Sequence, residues 1–388
     1  MSNFIPYGRQ DINQADIDAV IDVLTSDYIT QGPAIERFEE LVANYCGSRY
    51  AVAVSSATAA LHISCLALGL SEGDVIWTSP NTFVASANCG LYCGASVDFV
   101  DIDPTLYNLS VQQLENKLSA AAQLGKLPKV IIPVHFAGQS CQMEIISSLA
   151  RQYDIKILED ASHAIGARYC DKAVGSCQYS DLTVFSFHPV KIITSGEGGM
   201  VLTNNTDLFE KLTRLRTHGI TRNPRLMREI SEGPWYYQQL ELGYNYRMTD
   251  IQAALGASQM DRLETFVDRR RFLARRYNQL LSHLPIQLPL QHKDCESSWH
   301  LYVIRLRLPE LSKTHRQIFE ELRRANIGVN LHYIPVHTQP YYTDLGFQRG
   351  DFPEAEKYYS EAISIPLHYG LTLEQQDYIV DTLKAIVR

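Results

Sequence analysis

VFSFHPVKIITSGEGGM, residues Val184–Met200, sets an apolar run ahead of a single lysine and three glycines. The run from Leu182 to Phe187 is nearly continuous in apolar residues, the pattern of a strand covered on both faces. Lys191 follows its carboxyl end, and Gly196, Gly198 and Gly199 let the backbone bend closely past it. In open α/β sheets the carboxyl ends of the strands face the ligand crevice, so this stretch asks for a buried sheet with a cation at its edge.

Outward from there the same style repeats. From about residue 50, short β-rich runs alternate with helical ones: YAVAVS before TAALHISCLALGL, DVIWTS before FVASANCGLY, then VDFVDI, KVIIPVH, IKILED, LTVFSF and GGMVLT. The reading is an α/β fold with a mostly parallel central sheet flanked by helices. Ahead of it, NQADIDAVIDVLTS and AIERFEELVANYC predict two amphipathic helices. A long helix is expected from near Thr249 to about Leu281. Beyond it, LYVIRLRL, THRQIFEELRRAN and GVNLHY predict strand, helix and strand, with final helices from Pro353 and Thr372. We place a boundary near residue 260, giving a large domain over 1–260 and a smaller α/β domain over 261–388.

The composition, 45% hydrophobic and 20% charged over 388 residues, is that of a globular chain with room for a sizeable core. A net charge of −8 argues against a nucleic-acid partner, which normally needs a basic face. The one basic run, DRRRFLARR from Asp268 to Arg276, reads as a solvated helix face. Eight cysteines without a CxxC pattern read as core residues of a reduced, cytosolic chain, Cys89 and Cys93 among them as packing in a helix. No metal site is expected. MSNFIPYGRQ lacks the pattern of a secretory leader. The apolar segment 51–70 carries Ser55, Ser56, Thr58, His62 and Ser64, so it reads as a strand and helix rather than a membrane span.

Four further stretches supply chemistry. SSATAAL, Ser55–Leu61, joins a strand to a helix through small hydroxylated residues, so free amides and the helix dipole suit a phosphate there; capping by Ser56 or Thr58 is the plain alternative. IKILEDASHAIGA places Asp160 at the end of an apolar strand, where a carboxylate is costly unless a cation or donors meet it; a helix cap by Glu159 or Asp160 is the alternative. Lys191 would reach the same edge, where partial burial and a cationic neighbour favour a free, nucleophilic amine. A nucleophilic lysine, a buried aspartate for a protonated pyridine nitrogen, and an anion nest with Ser186 together match pyridoxal 5′-phosphate. Phe83 in SPNTFVAS follows another strand end, either stacking on that ring or filling the core. Asn245 in LGYNYRMTDIQAALG sits in a loop able to reach a neighbouring subunit, with capping by Asn245 or Thr249 as the alternative.

With these motifs in order, the chain resembles the fold-type I PLP enzymes and, within them, the DegT-type nucleotide-sugar aminotransferases. The resemblance runs from YITQGPAIERFE through SSATAAL, EDASHAIGA, FSFHPVKIITSGEGG and LGYNYRMTDIQAALG to IGVNLHYIPVHTQPYY. It implies that Lys191 holds the cofactor covalently, Asp160 pairs with the pyridine nitrogen and Phe83 stacks on the ring. It also implies that Ala57, Thr58 and Ser186 hold the phosphate and that Asn245 comes from the second subunit of a homodimer. His163 stands where many relatives carry glutamine, and a protonated His163 near the cofactor's O3′ is the expectation. FSFHPVKIIT, SDYITQGP and NLHYIPVH look most similar to the branch that makes UDP-4-amino-4,6-dideoxy-N-acetyl-β-L-altrosamine on the pseudaminic acid route. That similarity implies L-glutamate and a UDP-linked 4-keto sugar as substrates, with Tyr7, Asp27, Tyr28, Ile29, Thr30, His332 and Tyr333 lining the sugar-nucleotide pocket. Another 4-keto sugar aminotransferase of the UDP-bacillosamine or GDP-perosamine type, or a non-catalytic regulator with the same fold, stays open at this point.

Overall fold

The computed structural model describes residues 4–387; Met1–Asn3 and Arg388, which begin and end the two expected domains, lie outside the described residues. Seven strands form the main sheet: β1 Tyr50–Val54, β2 Val75–Thr78, β3 Ser96–Phe99, β4 Val130–Ile132, β5 Lys156–Asp160, β6 Leu182–Ser186 and β7 Gly199–Thr203. Their order is β1-β7-β6-β5-β4-β2-β3. Neighbours from β6 across to β3 run parallel, and β7 alone is antiparallel to both of its neighbours. The reversal follows from the Lys191 loop, which contains no helix to carry a parallel crossover. Every residue of β6 and β7 is buried, which is why both read as nearly continuous apolar runs.

Helices α1 Gln14–Leu24, α2 Pro33–Cys46, α3 Ala57–Ala67, α4 Ala85–Tyr92, α5 Val111–Leu124, α6 Met143–Gln152, α7 Thr206–Leu215, α8 Asp250–Met260 and α9 Leu263–Leu281 surround the sheet. On one face α3, α4 and α7 bury Ala60, Leu61, Ala87 and Leu212 against Val52, Val184 and Val201. On the other, α2, α8 and the start of α9 bury Phe38, Ala253 and Val267 against Ala53, Phe185 and Met200. Local signals set the ends of these helices: α2 opens on Pro33 and closes at Gly47, whose φ of 73° is left-handed. Thr249 and Gln252 form a capping box at α8, so the cap is Thr249 and not Asn245.

A second sheet joins β8 Ile286–Gln287, β9 Tyr302–Leu306 and β10 Ala362–Ile365, with α10 His315–Arg324, α11 Pro340–Asp344, α12 Pro353–Glu361 and α13 Leu373–Ile386 completing the chain. The later turns of α9 belong to this sheet's core, through Leu273 and Tyr277 against Tyr302, Ile304 and Ile363.

Three expectations are corrected. The long helix from Thr249 is two helices, because Arg262 leaves helical geometry (φ −111°, ψ 3°). Its guanidinium pairs with Asp11 at 2.6 Å and Asp16 at 2.5 Å. Asp16 is fully buried and needs that cation. GVNLHY forms no strand beyond one bridge from Asn330 to Ser364. Tyr358 Oη takes the His332 carbonyl at 2.7 Å, an acceptor a strand ladder would use. The basic run is not a solvated face, since Arg270 is buried and Arg269, Arg271 and Arg276 all reach across to other segments. Among the described residues all eight cysteines are free, and no helix is long and apolar enough to cross a membrane.

Candidate active site

The carboxyl ends of β2, β5 and β6 converge on the loop that carries Lys191. β5 delivers Asp160 at 4% exposure. Its Oδ2 accepts from Ser86 Oγ at 2.6 Å and its Oδ1 from the Ser162 amide at 3.1 Å. Glu159 points to the opposite face, as strand alternation requires. There it pairs with His135 Nε2 at 2.6 Å and accepts from Thr183 Oγ1 at 3.1 Å and from Ser180. Burial pushes the Glu159 carboxyl up, but its hydrogen-bond partners outweigh burial and leave it below the usual carboxylate range. No helix begins after β5, so neither acid is a helix cap.

Lys191 is half-buried in the loop after β6. Burial pulls its ammonium from 10.5 down to about 8, and Asp160 opposes that pull as the facing negative charge. The cationic neighbour expected from the sequence is absent; burial does the lowering. An amine that is partly neutral near pH 8, within the field of a buried carboxylate, is a nucleophile and a proton carrier in one group.

Around Lys191 stand three histidines kept neutral. His332 is pushed down to about 3 by burial and by Lys191. His163 and His300 are held well below the usual imidazole range, by burial first and then by neighbouring positive groups. The expected protonated His163 is therefore corrected: this chamber disfavours a second cation. His163 Nδ1 accepts from the Ala137 amide at 3.3 Å, and its Nε2 meets Tyr333 Oη at 3.0 Å. His332 is fixed by Ser364 Oγ at 2.8 Å, and the Tyr7 and His332 rings lie 5.3 Å apart. Tyr7 is placed by the Leu367 amide, which donates to its carbonyl at 3.0 Å. Tyr7, His332, Tyr333 and His163 thus form one wall.

Phe83 is 58% exposed, so it is no core residue; its ring stands 6.2 Å from that of Tyr333. Ser56 Oγ caps α3 by accepting from the Ala59 amide at 3.1 Å. The amides of Ala57 and Thr58 are then first-turn donors without intrahelical acceptors. That turn rests on β7: a Cβ on Gly199 would stand 2.5 Å from Ser56 C and O and 2.6 Å from Ala57 N. Ser186 pairs with Gly199 in the register of β6 and β7, beside the same turn. An amine, a satisfied buried carboxylate, an exposed ring and a helix N-terminus with a hydroxyl fit pyridoxal phosphate as one group.

Two expected contributors do not join this site within one chain. Asn245 is exposed and bridges Thr217, and among the described residues no hydrogen bond links it to Lys191, Asp160 or Ser186. Asp27, Tyr28, Ile29 and Thr30 are exposed, with Thr30 bridging Thr249 and Ile29 O accepting from the Asp250 amide. Conversely, Ser86, Asn81 and His300 were not picked out from the sequence. Ser86 lies one helical turn after Phe83, and that spacing was the available signal. Asn81 Oδ1 accepts from the Tyr333 amide at 3.3 Å and ties the β2 end to the Tyr333 segment. Among the described residues, no group of three or more His, Cys, Asp or Glu side chains is placed to hold a metal ion.

Known proteins are similar to this chain along nearly its whole length. An uncharacterized protein of Methanocaldococcus jannaschii is 41% identical over 387 residues, covering 99% of this chain and 98% of that one. The UDP-4-amino-4,6-dideoxy-N-acetyl-beta-L-altrosamine transaminase of Campylobacter jejuni serotype O:23/36 is 38% identical over 386 residues, covering 99% and 97%. Among solved structures, Helicobacter pylori PseC, an aminotransferase involved in the biosynthesis of pseudoaminic acid, matches with a TM-score of 0.90 at 30% identity over 99% of both chains. With the family's own sequence pattern extending over residues 10–384, the chain belongs to the DegT/DnrJ/EryC1/StrS aminotransferase family, whose members depend on PLP.

Proposed function

We propose that this aminotransferase moves the amino group of L-glutamate to C4 of a UDP-linked 4-keto-6-deoxy-N-acetylhexosamine, giving UDP-4-amino-4,6-dideoxy-N-acetyl-β-L-altrosamine. The observation that carries the reaction type is the half-buried Lys191 amine, lowered to about 8 and facing Asp160. The substrate rests on the 38% identity to a transaminase of that name.

Bound PLP supplies an electron sink for the carbon that loses or gains a proton. The chain's residues do the rest. Lys191 would serve as the proton carrier at its Nζ, and its lowered pKa leaves a useful fraction of free amine near neutrality. Asp160, fixed by Ser86 and Ser162, would pair with the pyridine nitrogen and favour its protonated form. Phe83 would cover the ring, while the amides of Ala57 and Thr58 and the hydroxyl of Ser186 would hold the phosphate. Tyr7, His332 and Tyr333 line the sugar side, and neutral His163 acts as a hydrogen-bond partner rather than a cation.

Asn245 and the Asp27–Thr30 stretch stand apart from Lys191 in one chain, and a homodimer in which each copy completes its partner's site gives them a role. The test offers the protein, PLP and glutamate the UDP-N-acetyl 4-keto-6-deoxy sugars of both C5 configurations, with products identified by mass and NMR. Amination at C4 of the β-L-arabino ketosugar over its D-xylo epimer supports the proposal. The reverse preference, or no product from either, sinks the substrate assignment.

A further inference from the structure

Arg270 of α9 is a guanidinium at 2% exposure. Among the described residues it pairs with no carboxylate; its Nη1 instead donates to Trp299 O at 3.2 Å, His300 O at 3.2 Å and Leu367 O at 2.8 Å. Burial lowers its pKa to about 10. Burying a cation against neutral carbonyls is costly, and an apolar side chain of similar size would stabilise a core at least as well. What the gripped carbonyls belong to therefore matters.

Two of them, Trp299 O and His300 O, belong to a bracket that holds the His163 wall. The Ser298 amide donates to Gly138 O at 3.1 Å and the Leu301 amide to Ala137 O at 3.3 Å. Ser298 Oγ donates to His163 O at 3.2 Å. Contact is so close that a Cβ on Gly138 would meet Ser298 Oγ at 2.8 Å and the amides of Trp299 and His300 at 2.9 Å. Ala137, in the gripped turn, has a φ of 58° and is the residue whose amide meets His163 Nδ1. An Nδ1 that accepts leaves the proton of a neutral imidazole on Nε2, which faces Tyr333 Oη. The His300 ring covers His163 with centroids 4.4 Å apart, and its own Nδ1 is buried without a hydrogen-bond partner.

We infer that Arg270 is a positioning residue: through the Trp299–His300 bracket it fixes His163 as an Nε2–H donor to Tyr333, and so leaves the Tyr333 hydroxyl free to donate into the cleft beside Lys191. The kinetic part of this rests on the proposed roles of Lys191 and Asp160. The tautomer is a property of the chain alone.

The test is Arg270→Met, read first by imidazole nitrogen NMR of the cofactor-free protein, with the His163 signals assigned by their loss in His163→Gln. Wild type should show His163 as the Nε2–H tautomer, and Arg270→Met should show a mixture or the Nδ1–H form. In the PLP-loaded enzyme, kcat should fall about tenfold or more, the scale of a small misplacement near the reacting atoms, with KM for the ketosugar nearly unchanged. Placed on His163→Gln, the same substitution should add little further loss. An unchanged tautomer in Arg270→Met, or its full kinetic loss persisting on His163→Gln, overturns the inference. If Arg270→Met does not fold, Ser298→Ala, which removes one bond of the bracket and leaves Arg270, is read by the same criteria. A shifted tautomer together with wild-type kcat and cofactor spectrum in His163→Gln would overturn only the link to catalysis, and so separates this inference from the proposed function.

Discussion

Ser86 and Asp160 lie 74 residues apart in sequence, yet the Ser86 hydroxyl donates to Asp160 Oδ2 at 2.6 Å inside the buried end of the sheet. Ser86 in turn meets Thr82 Oγ1 at 2.7 Å, so α4 aims a short hydroxyl chain at the carboxylate. The bond fixes the rotamer of the one acid that faces Lys191, and a bond to a charged acceptor contributes about 1.5–3 kcal/mol.

Ser86→Ala should therefore act on Asp160 more than on the fold. Asp160 keeps the Ser162 amide, so the carboxylate stays but turns more freely. We expect PLP affinity to fall about tenfold and Tm to drop by a few degrees. Titration of the cofactor-free protein with PLP, followed by its visible absorption, measures the first. Affinity equal to wild type would show that Ser162 suffices to hold Asp160.

Lys191 gives a pH signature in the cofactor-free protein. Its pKa is 10.5 when exposed and about 8 in the fold. Below about pH 8 the amine is charged in both states and the fold bears the cost of burying it. Between about 8 and 10.5 the unfolded chain binds more protons than the native one, so stability rises with pH across that window. Lys191→Met removes the cost. The variant should be more stable than wild type at pH 7, by roughly 2 kcal/mol once partial exposure is allowed for, with the gap closing towards pH 10, and it should not turn over. Melting curves at both pH values check this; a gap independent of pH would mean that the amine is not desolvated.

How much of this was legible depends on whether a residue's role is local. β6 and β7 were readable because strands buried on both faces are apolar through most of their length, and Asp160 and Lys191 were readable because one ends such a strand and the other follows one. Thr249 announced its helix through capping chemistry. Arg262 was not legible as a helix break, because its reason lies in Asp11 and Asp16, almost the whole large sheet away in sequence. Arg270 read as one more charge in a basic run, since nothing nearby in sequence shows the three carbonyls that it holds. His332 and Tyr333 were expected on a strand that does not form, because the carbonyl that a ladder needs is taken by Tyr358. Contacts of long sequence separation, rather than propensity, decided each of these cases.

Gly199 tests whether the Ser56–Ala57 turn is the phosphate seat. It lies in β7 with room on neither side: a Cβ would come within 2.5 Å of the Ser56 carbonyl group and 2.6 Å of the Ala57 nitrogen, and backbone cannot yield as a side-chain tip can. Gly199→Ala must then push the turn, and with it the first amides of α3, away from Ser186. PLP affinity should fall by about tenfold or more, and inorganic phosphate, which should slow PLP binding in wild type, should no longer do so, since the shared anion seat is displaced. Gly47→Ala is the control. Gly47 has a φ of 73° with nothing within 4 Å of its would-be Cβ, so that variant bears a backbone strain of about 1 kcal/mol without touching the turn. Equal loss of PLP affinity in both variants would trace the effect to general destabilisation, whereas loss confined to Gly199→Ala ties the phosphate to the turn that β7 supports.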